Sequence, residues 1–333
     1  MNSAAPRSTL LGAGTVVLSA SLFGSLGVLS KIAYGEGMAP FAFVTWRAGV
    51  GALALWLFIV AIQRRGMGAE RAAVDRRGRT WLLIAVVLAA VLNLASFLAF
   101  EKTSVALALL AFYTYPAMVA GGSVLLGRER LDLARVAALL LALGGMVAVV
   151  MGGPTGQVSG GSDLLGIGLA LVAAICQTAF VLTSRAYRSL PADHATWALL
   201  LGSTVIAGAI TVASNGPAAL AFPLGRIDVL GLLLYVGVFA AAVPSVLFLR
   251  GIRWIGGVRT GILMLFEPVV GVILAAVILA EGLEPLQVAG GATILLAALI
   301  VQRSTTSRPD PAHPDEPPDP VESIVVAPAP GGP

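Results

Sequence analysis

Eight stretches of this chain run for at least 18 residues without an Asp, Glu, Lys or Arg: 8–30, 81–100, 105–126, 136–162, 164–184, 195–225, 229–249 and 285–302. A helix crosses a bilayer with roughly 20 apolar residues. Two more stretches, 41–62 and 260–280, are each broken by a single charge, Arg47 and Glu267. Ten spans result. Composition agrees: 58% of residues are hydrophobic and 11% charged, against about 25% charged in a soluble domain. Lipid is therefore the solvent, and the expected fold class is an all-α polytopic membrane protein. The first stretch reads as a span rather than a signal peptide, because it is long, Arg7 is the only basic residue before it and nine more spans follow.

Basic residues orient the chain. With a cytoplasmic N-terminus, every Lys and Arg falls on the cytoplasmic side except Lys31, Lys102, Arg226 and the span-embedded Arg47. That asymmetry follows the positive-inside rule and predicts N- and C-termini in the cytoplasm of a bacterial-type inner membrane. The arginines are spread over short loops without aromatic interleaving, so no nucleic-acid partner is expected.

An internal repeat organises the spans. Pro116 is followed by Glu129 and Leu131, and Pro268 by Glu281 and Leu283, at an offset of 152 residues. Ten spans then divide into two five-helix repeats, 8–153 and 154–303, meeting near the Gly-rich segment 151–163. Five is odd, so the second repeat enters the membrane facing the other way, and the two are inverted. Glu129 is expected at the cytoplasmic surface and Glu281 at the outer one. Paired glycines such as Gly144 and Gly145, or Gly290 and Gly291, predict close helix packing. Residues 304–333 hold nine prolines and five acids, too little apolar surface to fold, and read as a disordered cytoplasmic tail.

Several chemistries are excluded or disfavoured. Cys176 is the only cysteine and His194 and His313 the only histidines, so no disulfide and no zinc cluster is expected. There is no GxxxxGK[ST] loop and no GxSxG elbow. The chain is expected to be no enzyme, to carry no metal or cofactor, and to draw its driving force from substrate or ion gradients.

Two five-span halves, each with an apolar-Pro-x12-Glu-x-Leu signature, resemble the drug/metabolite transporter superfamily, EamA-type. The segment EKTSVALALLAFYTYP, Arg47 in the second span and the Glu267–Pro268 pair in the ninth are similar to the family pattern. The resemblance covers residues 8–303 and implies ten helices around a central cavity between the halves. Its members export amino acids and related metabolites, and the overall likeness is greatest to the aromatic amino-acid exporter branch. The expected function is a secondary transporter that exports amino acids, with bulky or aromatic side chains, by alternating access around a midplane site. The partners implied are a small-molecule substrate and the lipid bilayer; the oligomeric state stays open, a monomer being compatible with the reading. The alternatives are a carrier of another metabolite or drug, and a membrane scaffold or enzyme. A polyanionic substrate is disfavoured, since Arg47 is the only basic residue within a span.

Glu267 is the sharpest site candidate. It lies eight residues past Arg259, ~12 Å along a helix and near the midplane, where a charge costs about 2.5–3.5 kcal/mol on insertion scales. It can bind a substrate ammonium or carry a proton; the competing structural roles are pairing with Arg47 or bonding a neighbouring helix. Asn93 and Phe97, with Ser96 and Phe100, fall at i, i+4, i+3 and i+7 and predict one cavity wall; Gln177 and Phe180 predict another; Met264 shares a face with Glu267. Tyr113, Tyr115, Tyr235 and Ser19 can add hydroxyls. Pro116, Pro244 and Pro268 are expected to kink their helices and free the carbonyls of Phe112, Ala240 and Met264. Arg47 is read as structural, snorkelling outward along its apolar stem. Glu129 and Glu281 are likewise read as structural, with gating as the alternative.

Overall fold

In hydrocarbon a backbone must satisfy its own polar groups, which a helix does within one segment. The computed structural model describes residues 5–65, 75–127, 132–152, 161–278 and 284–303, and these are helical nearly throughout, with no strand among them. The helices are α1 (Ala5–Phe23), α2 (Leu26–Gly35), α3 (Pro40–Arg64), α4 (Arg76–Lys102), α5 (Val105–Phe112), α6 (Tyr115–Leu125), α7 (Leu133–Met151), α8 (Gly161–Thr183), α9 (Ala192–Asn215), the short α10 (Ala218–Ala221), α11 (Ile227–Gly237), α12 (Val243–Ile255), α13 (Gly257–Met264), α14 (Glu267–Ile278) and α15 (Pro285–Arg303). Eight helical stretches among the described residues are long and apolar enough to cross a membrane: Leu10–Gly35, Pro40–Arg64, Arg76–Lys102, Leu107–Leu125, Leu133–Met151, Gly161–Tyr187, Ala192–Asn215 and Ile227–Ile255. Pro285–Ile300 is a shorter apolar helix. The tail beyond residue 303, Glu129 and Glu281 lie outside the described residues.

Local chemistry sets the helix ends. Asp75 and Asp132 accept from the Gly78 and Arg135 amides at 2.7 and 2.8 Å, capping α4 and α7. Pro40 opens α3, where its missing N–H is harmless. The apolar run through residue 225 overstates α9: the helix stops at Asn215 because Gly216 turns to φ +76° and Pro217 follows.

The prolines act in two ways. Before Pro116 and Pro268 the helix is interrupted rather than kinked. α5 ends at Phe112 and α6 starts at Tyr115; α13 ends at Met264 and α14 starts at Glu267. Each proline is thus the second residue of a new helix, where no hydrogen bond is lost. Pro244 instead follows a π-helical turn, Val238–Ala242, that joins α11 to α12. A further interruption, between α1 and α2 at Gly24–Ser25, has no proline to announce it.

Helix starts recur at a fixed spacing. Pro40 and Ala192, Val105 and Gly257, Tyr115 and Glu267, and Leu133 and Pro285 each begin a helix and differ by 152 residues. The main packing pairs are α1 with α12, α3 with α9, α4 with α8 and α7 with α15. Backbone touches backbone where glycine permits. A Cβ on Gly145 would sit 2.7 Å from the Gly290 carbonyl oxygen, and one on Gly51 would sit 2.8 Å from that of Gly237. Gly144 has nothing near it, so only one residue of that glycine pair makes the contact.

Cross-links identify the two ends of the bundle. At one end Lys31 bonds the Thr103 carbonyl at 3.2 Å, Thr103 bonds Asp163 at 2.5 Å, Ser162 bonds the Lys102 carbonyl at 2.6 Å, and Arg226 pairs with Glu36 and Asp228. At the other, Gln63 meets His194 at 3.4 Å and Arg188 bonds the Arg253 carbonyl at 3.0 Å. The second end carries Arg64, Arg76, Arg135, Arg185, Arg250 and Arg259 at or near helix termini and is the arginine-rich end. Outward-facing residues such as Leu53, Trp56, Leu57 and Phe58 on α3 are half exposed, as suits a surface solvated by acyl chains.

Candidate functional site

Where the interrupted helices meet the long ones, the bundle holds a cavity of about 160 Å³. Each of α1 to α6, α8, α9 and α12 to α14 contributes to its wall. Phenyl rings dominate: Phe23, Phe97, Phe100, Phe112, Phe180 and Phe248. Among them stand two charged groups, Glu267 and Arg47, and the polar side chains of Asn93, Ser96, Tyr115, Gln177, Thr196, Ser203 and Ser245. At ~10–15 Å³ per water-sized site, the space suits on the order of ten waters, or one small metabolite.

Glu267 opens α14, so its carboxylate lies at the positive end of a helix dipole. Tyr113, the residue after α5, donates its hydroxyl to Glu267 Oε2 at 2.6 Å. Tyr113 is 1% exposed and packs against Phe112 and Tyr115 with ring centroids 5.3 and 5.8 Å away. The two helix interruptions therefore face each other, one supplying the acid and the other its donor. Gly24, at the α1–α2 interruption, closes the third side: a Cβ there would meet the Glu267 carbonyl oxygen at 2.9 Å.

Arg47 does not snorkel. It is 4% exposed, held among α3, α4 and the π-turn. Nη2 donates to Asn93 Oδ1, and Nη1 donates to the Ala240 carbonyl at 3.3 Å. Its guanidinium carbon lies 4.9 Å from the centroid of the Phe97 ring. Ala240 is four residues before Pro244, which has no N–H to offer it, so the arginine serves a carbonyl that the proline cannot. Asn93 is fixed in turn by donating to the Ala89 carbonyl at 2.7 Å. Arg47 and Glu267 face the same cavity and form no salt bridge with each other; the pairing weighed from sequence is replaced by Tyr113 on one side and Asn93 on the other.

Of the other sequence candidates, Asn93, Gln177, Tyr115, Phe97 and Met264 line the cavity. Tyr113 stands just behind it, bonded to Glu267. Ser19 does not reach it: its hydroxyl donates to the Pro244 carbonyl at 2.8 Å and joins α1 to α12. Tyr235 is on the outer surface, 47% exposed, its ring centroid 5.4 Å from that of Phe239. Pro116 and Pro268 shape the two interruptions, and Pro244 follows the π-turn. The sequence reading missed Thr196, Ser203 and Ser245. Thr196, Leu199, Leu200 and Ser203 fall at i, i+3, i+4 and i+7 of α9, the same signature that marked the Asn93 face, and it was available in the sequence.

The sequence profile of the EamA-like transporter family matches the chain twice, over residues 10–151 and 164–303. An uncharacterized transporter of Archaeoglobus fulgidus is 31% identical over 294 residues, which is 88% of this chain and 96% of that one. A crystal structure sharing 19% identity superposes with a TM-score of 0.72 over 91% of this chain and 99% of its own, a likeness of fold alone. With its apolar helices, its cavity between them and a family match over nearly all of residues 10–303, this chain is a multi-pass membrane protein that belongs to the EamA-like transporter family.

Proposed function

We propose that the protein exports amino acids across a bacterial-type inner membrane, with both termini in the cytoplasm, as a secondary transporter that alternates access to the central cavity. The observation that carries this reading is the pair Glu267 and Arg47. One acid and one base face a single cavity without neutralising each other, each held by a neutral partner. Charges at membrane depth otherwise pair or avoid the interior. A zwitterion satisfies both, with its ammonium at Glu267 and its carboxylate at Arg47, and the phenyl walls favour a bulky side chain. Proton uptake at Glu267 is the second role for the same carboxylate.

Ten spans in two inverted five-helix repeats, 8–153 and 154–303, are the architecture we infer. The family profile matches each half, helix starts recur 152 residues apart, and the packing pairs exchange into one another when the halves are swapped. Shifting α1 and α4 by that offset gives α8 and the α11–α12 segment, so α4 with α8 becomes α12 with α1. In this arrangement the halves rock about the interrupted helices. Purified protein in liposomes, presented with a panel of labelled amino acids, tests the function. Facilitated flux of at least one supports it; leak-level flux for the whole panel overturns it.

A further inference from the structure

Part of the cavity lining has no hydrogen-bond partner among the described residues. Most Ser and Thr hydroxyls on the described helices bond back to a carbonyl three or four residues earlier, as Thr178 does to Ala174 and Thr204 to Leu200. Their sequence neighbours differ. Gln177 and Ser203 face the cavity, as do Thr196 and Ser245, and among the described residues none of these four side chains has a hydrogen-bond partner. Thr196 is 1% exposed and its Oγ1 is buried without a partner. A buried hydroxyl left unpaired is costly, so its natural partner comes from outside the chain.

Depth separates two of the four, Thr196 and Gln177, from the charged pair; Ser203 and Ser245 lie about level with Glu267. Thr196 is four residues into α9 from the arginine-rich end and Gln177 six residues before the end of α8 there, roughly 6 and 9 Å along the axis, whereas Glu267 is ten residues beyond the start of α13, roughly 15 Å. Phe180 and Phe248 line the same end as Thr196. None of the four polar groups is ionisable, so they suit an uncharged donor or acceptor.

We propose that Thr196 and Gln177 form a second polar subsite, which takes an uncharged hydrogen-bonding group at the far end of a bulky substrate side chain. The proposal rests on the amino-acid reading above and adds a selectivity to it. A purely apolar pocket discriminates weakly between isosteres, whereas buried polar groups that expect a partner reject an analogue lacking it. Polar groups of this kind are left satisfied only by a ligand group that can form hydrogen bonds with them.

Tyrosine and phenylalanine differ by one hydroxyl and supply the test. In proteoliposomes the ratio of kcat/KM for tyrosine over phenylalanine is expected to be about ten or more. Thr196→Val and Gln177→Leu are expected to bring that ratio toward one, while Ser214→Ala, at the far end of α9, leaves it in place. Elution as a single species and a melting temperature near that of the parent show that each variant is folded. Equal handling of the two amino acids by the parent protein, or a ratio unmoved in both cavity variants, overturns the subsite and leaves the amino-acid reading standing. Flux of other amino acids but of neither of these also overturns the subsite alone. No flux across the whole panel overturns both.

Discussion

The Tyr113 hydroxyl donates to the Glu267 carboxylate at 2.6 Å across 154 residues of sequence. The bond joins two helix interruptions, each created by a proline at the second position of the following helix. It holds Glu267, the one acid among the described lining residues, beside the space that Arg47 also faces.

Replacing Tyr113 by phenylalanine keeps the ring packing and removes the donor. A hydrogen bond to a charged group is worth about 1.5–3 kcal/mol, so flux in liposomes is expected to fall by about tenfold or more. Glu267→Gln is expected to reduce it at least as far. The double variant should lose no more than Glu267→Gln alone, because the tyrosine acts through the carboxylate; additive losses would separate the two residues.

The two roles of Glu267 differ in their response to a proton gradient. If it carries a proton, an imposed gradient accelerates flux in the parent and not in Glu267→Gln. Gradient-insensitive flux in the parent assigns the carboxylate to ammonium binding.

Arg47→Met leaves the Ala240 carbonyl and the Asn93 amide oxygen without their donor. Buried acceptors left unpaired cost about 1–3 kcal/mol each, so the melting temperature in detergent is expected to drop. Arg47→Lys should recover only part of it, since a point donor does not reproduce the guanidinium fork. A stable, fully active Arg47→Met protein contradicts this role.

Gly24→Val presses a branched side chain against the Glu267 carbonyl and Val270, whose nearest atoms lie 2.9 Å from the position of a Cβ. Overpacking of this kind costs about 1–3 kcal/mol. Both thermal stability and flux should fall, whereas Gly14→Ala, with open space around it, should change neither.

Topology is open to direct measurement because Cys176 is the only cysteine. In a Cys176→Ala background, Ser189→Cys lies at the arginine-rich end and Ser214→Cys at the opposite end of α9. An impermeant thiol reagent added to intact cells is expected to label position 214 and spare 189; the reverse pattern inverts the orientation.

What the sequence alone determined follows from its solvent. Charge-free runs of span length, a strong arginine asymmetry and a proline–glutamate repeat at 152 residues are properties of the chain before folding, and lipid leaves a helix as the way to satisfy the backbone in each run. Periodicity also placed Asn93, Phe97, Gln177 and Met264 on inward faces, because neighbours at three and four residues share a face in any helix. The tertiary structure decided what periodicity does not carry. Pro116 and Pro268 read as kinks, but whether a helix bends or stops depends on what receives the freed backbone groups. Arg47 read as an outward-reaching residue, and only the packing of α3 against the π-turn supplies the Ala240 carbonyl that holds it inside. Tyr235 and Tyr113 are indistinguishable as sequence candidates; one is turned to the outer surface and the other reaches Glu267. Contacts between residues 154 positions apart arise from how helices pack, and that is where the site was made.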